Sequence, residues 1–442
     1  MRAAVLSLVL AVAGPAKADV SASVATLGLA GARDALENQT DRSPDAQFAL
    51  AGLQFLSAIE RAYQARWTYG ITGPNLPLPM FQGNLPANPA PEAFTPETVR
   101  DITSTFVADL DVVSRTLNAL PADADPAVKL SLPDLWFDAN INGTREDGEG
   151  LVEIVLPLLM RPFDLRRLED ALAEDPDLPD PRQATIRFDA ADVHWLAAYA
   201  QVLQGAGEVI LAFDPTSEIA KVMDARAAFT AQFGDATLDG ELARIIEGLR
   251  EDNPDMTEAE IARITAMLQG SMGGGNPIGQ FAEPVDLISI IIETLRHQPD
   301  PNRIAKARDH FVAMVRHNRD FWSALAEETD NNAEWIPAPS QTAALGIEVP
   351  GDIGPAWLAV LTDLERALKG EVLLPFWRFA PGHGIDIDAY VNDPSPIAIV
   401  EWIQGSAALP YAAQGEVLST QSWAAFNRLV RGQTGLFVIL LN

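Results

Sequence analysis

The chain has 442 residues, 48% of them apolar, with 61 acidic against 31 basic side chains and no cysteine, for a formal charge of −30. This composition is globular rather than disordered and is long enough for two or three domains. The charge argues against nucleic acid or an anionic membrane surface as a partner, and the missing thiols exclude disulfides and thiolate zinc sites.

Met1-Arg2, the apolar run 3–13 and the small-x-small triplet Ala16-Lys17-Ala18 read as a cleavable export signal, too short to span a bilayer. Cleavage after Ala18 removes Arg2 and Lys17 and takes the formal charge from −30 to −32. The expected location is periplasmic or secreted, with no stable membrane insertion after cleavage.

The dominant period downstream is helical. Ser43-Pro44 has the form of an N-cap followed by proline at the first helical position, and Phe48, Phe55, Ile59, Tyr63 and Trp67 follow near one face. Thr95-Pro96-Glu97 repeats the start signal ahead of the stripe Val99, Ile102, Phe106, Leu110, Val113 and Leu117. Between the two, residues 72–94 carry six prolines and no apolar period, which reads as an ordered loop or strap.

The sharpest pattern comes next. In residues 138–149, Asp138, Asn140, Asn142, Gly143 and Glu149 occupy every fixed position of D-x-[DN]-x-[DN]-G-x5-E. Over these twelve residues alone the chain resembles the calcium loop of EF-hand and dockerin-like proteins. The resemblance implies side-chain oxygens from Asp138, Asn140 and Asn142, the carbonyl of Thr144, Glu146 directly or through water, and both carboxylate oxygens of Glu149 around one Ca2+. Two features depart from a paired EF-hand: Arg145 at the eighth position, and Pro133, which leaves residues 134–137 as a short entering segment. A solitary loop between an extended segment and a helix is therefore expected. Its neutral amide ligands predict extracellular-type affinity of roughly 10⁻⁴ to 10⁻³ M. An Asn-Gly turn followed by an acidic helix start explains the same residues without an ion.

Residues 151–159 begin an exiting helix that Pro157 bends or ends, and a Pro/Asp-rich stretch, 174–181, precedes the most apolar segment, 189–213. From Trp195 to Phe213 there are nineteen residues without a basic side chain, but Gln201, Gln204 and Glu208 argue against lipid and for the central helix of a bundle. Residues 257–297 form a helical hairpin pattern opened by a Thr257/Glu260 capping box and joined by the glycine run 270–279. That run lacks both the phosphate-loop lysine and the dinucleotide fingerprint; a mobile flap or partner-gripping hairpin is its functional reading. A further helix covers 302–327. The last third mixes helix 355–368 with extended segments at 335–339, 373–379 and 397–410 and closes on an uncharged run, 435–442, that must be buried.

Basic side chains concentrate at 296–319: Arg296, His297, Arg303, Lys306, Arg308, His310, Arg316, His317 and Arg319. They either form a cleft for an anionic ligand or neutralise nearby carboxylates. His310 and His317 stand two turns apart, roughly 10 Å, too far to share one metal. His383, between Gly382 and Gly384, reads as a ligand-orienting residue or as part of a tight turn. No serine-hydrolase elbow or histidine–glutamate metalloprotease pair occurs. The nine tryptophans are core or sugar-stacking candidates. Segments 189–199 and 401–411 resemble exported bacterial proteins without an assigned activity.

The sequence thus predicts a mainly α protein, a multi-helix bundle with a solitary calcium loop and irregular Pro-rich segments. Its regions are a signal peptide 1–18, an N-terminal helical part 19–215, a hairpin region 216–300 and a C-terminal helical part 301–442 packed on the first. The expected role is that of an exported calcium-binding protein, not an enzyme, with a structural ion. The alternative is a periplasmic enzyme, or an anionic-ligand or partner-binding protein, that uses the cluster 296–319 with His310 or His383 as acid or base.

Overall fold

The computed structural model of the chain describes residues 19–71, 85, 88–154, 162–175, 180–233, 238–254, 256–257, 260–261, 264, 282–346, 349–431 and 434–441. Residues 1–18, where an export signal is expected, most of the expected strap 72–94 and the glycine run 270–279 lie outside them. The protein is all-α, with 14 helices among the described residues, 61% helix and only 6% strand.

In chain order the elements are α1 (Val20–Glu37), α2 (Pro44–Thr68), α3 (Thr98–Asn118), β1 (Val128–Ser131), α4 (Pro162–Glu174), β2 (Thr185–Phe188), α5 (Ala190–Phe213), α6 (Thr216–Phe233), α7 (Leu238–Asp252) and α8 (Ala282–Thr294). They continue with α9 (Pro301–Leu325), α10 (Ile353–Leu368), β3 (His383–Ile385), α11 (Ile387–Asn392), α12 (Ile399–Gln404), β4 (Ala412–Gln414), α13 (Gln421–Leu429) and α14 (Thr434–Leu441).

Local chemistry sets the boundaries. Ser43 caps α2 through its Oγ, which accepts from the Ala46 N–H at 3.2 Å, with Pro44 pre-set at the first helical position. Asp189 opens α5 with a capping box: its carboxylate accepts from Ala191 N–H, and Asp192 accepts from the Asp189 N–H. Asp300 caps α9 by accepting from the Asn302 N–H. Thr257 and Glu260 form the expected reciprocal pair, at 2.9 Å from the Thr257 N–H and 3.4 Å back to its Oγ1.

Helix α5 is buried on two sides. Leu196, Ala197, Ala200 and Leu203 join a core with α1, α2 and α3, while Ala191 and Ala198 join a second core with α9, α10, α13 and α14. Such all-round apolarity marks a central helix. It is also the one described helix long and apolar enough to cross a membrane, yet 67% of its apolar window is buried within the protein. The α5–α9 pair is the most extensive helix packing in the described fold.

Two small antiparallel sheets were not anticipated. β1 pairs with β2, Val128 opposite Phe188 and Ser131 opposite Thr185, and closes the chain on either side of the acidic loop; β3 pairs with β4. The segment 397–410, expected to be extended, contains α12, which Gly405 terminates in a left-handed conformation. The uncharged terminus forms α14, with Phe437 and Leu441 buried.

Candidate metal sites

Three groups of polar side chains warrant comparison as ion sites, beginning with the acidic loop. Its ends are tied by backbone bonds from Phe137 N–H to Glu149 O and from Leu151 N–H to Leu135 O, both 2.9 Å, with Trp136 bridged to Gly150. The entering segment is a 3-10 turn, Leu132–Asp134, then extended backbone, and residues 151–154 resume helix. Inside the loop the Asp138 carboxylate accepts from Asn142 N–H (3.0 Å) and Gly143 N–H (3.0 Å). Gly143 has φ +72, a left-handed turn that a side chain would strain.

Glu149 is only 2% exposed, and its two oxygens accept from Ala139 N–H (3.0 Å) and Glu146 N–H (2.9 Å). Both end carboxylates thus hold the loop backbone, each oxygen keeping a second lone pair, although Asp138, Glu146 and Glu149 do not bring their oxygens within 4.8 Å of one another. Burial pushes the Glu149 pKa up, the neighbouring charges of Asp138 and Glu146 add to this, and the two N–H donors oppose it. Behind the loop, Glu60 is 4% exposed and accepts from Asp138 N–H at 2.9 Å; burial raises its carboxyl to about 7.

The amide positions are engaged within the loop. Asn140 and Asn142 donate their Nδ2 groups to the two oxygens of Glu146, and Asn142 Oδ1 accepts from both Thr144 N–H and Thr144 Oγ1. Ile141, a β-branched residue, sits at φ +62. The eighth residue, Arg145, reaches back to donate to the Pro133 carbonyl at 2.7 Å.

The second group was missed in the sequence. Arg187 N–H on β2 donates to Ala333 O, which docks the loop 326–334 beside the start of α5. Carboxylate oxygens of Asp189, Glu328 and Glu334 then lie within 4.8 Å of one another. Asp192 is buried beside them, and Arg187 bridges Asp189 (2.6 Å) and Asp330 (3.2 Å). Burial, reinforced by neighbouring carboxylates, raises Glu328 to about 7, Glu334 upward, and Asp192 well above the carboxylate range. Such a group can share protons or hold a hard cation. A signal existed: Glu328, Asp330, Asn332 and Glu334 place an oxygen-bearing side chain at every second residue.

In the third group, His194 on α5 meets His317 and Asp320 on α9, again with ligand atoms within 4.8 Å of one another. Burial lowers His194, and it lowers His317 to about 4 with help from the Arg316 charge. Both imidazoles are therefore neutral at pH 7.

The basic cluster at 296–319 is largely spent on ion pairs. His297 lies 2.7 Å from Glu218, Arg303 2.7 Å from Glu208 and Arg308 3.0 Å from Asp388, while Arg296 and Arg319 face Glu293 and Glu365. His297 and Arg303 do line an open cavity of about 650 Å³ with Arg100, but Glu97, Asp214 and Asp300 share its wall. His310 instead bonds Gln201 at 2.7 Å, and His383 is exposed at the start of β3.

No family model, no curated protein and no solved structure matches this chain.

Proposed function

We propose that the protein is an exported calcium-binding helical protein in which one Ca2+ braces the loop 138–149 and so fixes α2 and the helical turn after the loop. The observation that carries this reading is that the Asp138 and Glu149 carboxylates both accept backbone N–H groups inside a loop closed at its base by two backbone hydrogen bonds, near enough for the Asp138 charge to raise Glu149. A hard cation needs six to eight oxygens, and a short curled segment supplies them only when its first and last positions meet. Ile141 supports the reading too: a β-branched residue held at positive φ costs about 1–3 kcal/mol and persists where the surroundings over-determine it. On binding, Asn140 and Asn142 would exchange their bonds to Glu146 for the ion. Export, argued from residues 1–18, places the chain where calcium is abundant enough for a weak site.

The ion would be structural, stabilising the native state by mass action. The test is thermal unfolding in EGTA and across a calcium series, with magnesium as control. A calcium-specific rise in melting temperature that disappears in Asp138→Ala and in Glu149→Ala is expected. A rise that survives both substitutions but vanishes in Glu334→Gln would move the ion to the Asp189 cluster and sink the loop assignment. No rise at all would reduce residues 138–149 to an acidic turn.

A further inference from the structure

We propose that His194, His317 and Asp320 form a metal site for a divalent transition ion of the zinc class, clamping α5 to α9. The inference is independent of the calcium reading, because the donors, the helices and the class of ion all differ.

Residues 317 and 320 are i and i+3 on α9, so their side chains emerge on the same face one turn apart. α5 packs along that face and contributes His194. The two imidazole rings lie 6.3 Å apart between centroids with an interplanar angle of 30°.

Two imidazoles and one carboxylate make a nitrogen-rich donor set that suits zinc and its neighbours and is poor for calcium or magnesium, which take oxygens. The ligand atoms lie within 4.8 Å of one another, against the roughly 3.3 Å edge of a tetrahedron with bonds near 2.0 Å, so side-chain rotation on binding would draw them together. Three protein ligands leave a fourth position. Asp320 is exposed, so that position opens to solvent, as in sites that bind a water or a small anionic ligand.

One further observation points to a ligand. His317 Nδ1 is buried and makes no hydrogen bond. A buried imidazole nitrogen without a protein partner is unusual, and a metal on one ring nitrogen with a bound water on the other is a common resolution. The facing charges are Asp320, which favours a cation, and Arg316, which opposes one and sets the affinity below that of a fully anionic site.

The experiment is calorimetric titration of Zn2+ into the full untagged chain after EDTA stripping, with Co2+ absorption as a report of coordination geometry. One zinc per chain is expected, with tetrahedral cobalt bands. Affinity should fall at least tenfold in His194→Gln and in Asp320→Asn and stay unchanged in His310→Gln and Asp138→Ala. Excess calcium should not compete. Absence of zinc binding would overturn the proposal, and so would an affinity unchanged by both His194→Gln and Asp320→Asn. Melting temperatures in EDTA check that each variant is folded. Asp320 is exposed, so its substitution tests the site even where a change at half-buried His317 disturbs packing.

Discussion

At the scale of single residues, close approach decides more than propensity does. Gly354, near the start of α10, faces the Trp322 ring of α9: a Cβ there would lie 2.5 Å from the ring Cε3. Alanine improves helix propensity by up to about 1 kcal/mol, whereas forcing an atom into a packed aromatic contact costs about 1–3 kcal/mol. The clash wins because an indole is rigid, and its Nε1 is anchored to Asn318 Oδ1 at 3.1 Å. Gly354→Ala is therefore expected to destabilise the protein by about 1 kcal/mol or more, read as a lower urea midpoint with unchanged slope. Glu60 shows the electrostatic side of the same scale. Its buried carboxyl serves the Asp138 N–H from beneath the loop, so Glu60→Gln keeps an acceptor of the same shape while removing a charge.

Among the elements, the last helix ties the second core. α14 contributes Phe437 and Leu441, both essentially inaccessible, and the Leu441 carbonyl accepts from the buried Asn318 Nδ2 at 2.8 Å. Phe437→Ala is expected to cost about 3–5 kcal/mol, because the removed ring leaves a cavity in the core that also holds Phe426 and Trp357 as well as losing its own transfer energy. Chemical denaturation measures it; a loss below about 1 kcal/mol would show that α14 is a passive appendage. α5 lies in both cores and α9 in the second, and the histidine–aspartate group sits between these two helices.

For the whole molecule, the excess of carboxylates makes stability depend on pH in a definite direction. Glu60 and Glu328 both titrate near 7 in the folded state against 4.5 unfolded, so the native protein holds protons that the unfolded chain releases across that window. Stability from these groups is full below 4.5 and is lost as pH rises through about 7. His317, lowered from 6.5 to about 4, acts oppositely: its contribution is present above 6.5 and lost as pH falls toward 4. The carboxyls therefore dominate between pH 6.5 and 8. In EDTA, the unfolding free energy should fall across that interval, and Glu60→Gln should make the fall shallower. A stability that rises from pH 6.5 to 8 would contradict the assignment.

The class of this fold was legible in the sequence because helix signals are local. Ser43-Pro44, the stripe Ile102 to Leu117 and the apolar run 195–213 each depend on residues within a few turns, and each became a helix with its stripe buried. α1 escaped because Gly28 breaks its period at φ +69, and α12 because flanking prolines and Gly405 mask a helix of six residues. The acidic loop was readable for the same reason, since all its candidate ligands fall within twelve residues. The Asp189–Glu328–Glu334 and His194–His317–Asp320 groups were not. Each draws on segments more than a hundred residues apart, and only the docking of the 326–334 loop on β2 and of α9 on α5 gives them one location. The sequence alone thus determined the helical class and one contiguous candidate site, through periodicity and spacing. The tertiary structure decided which distant carboxylates and imidazoles share a site, because that depends on packing between elements that no local pattern encodes.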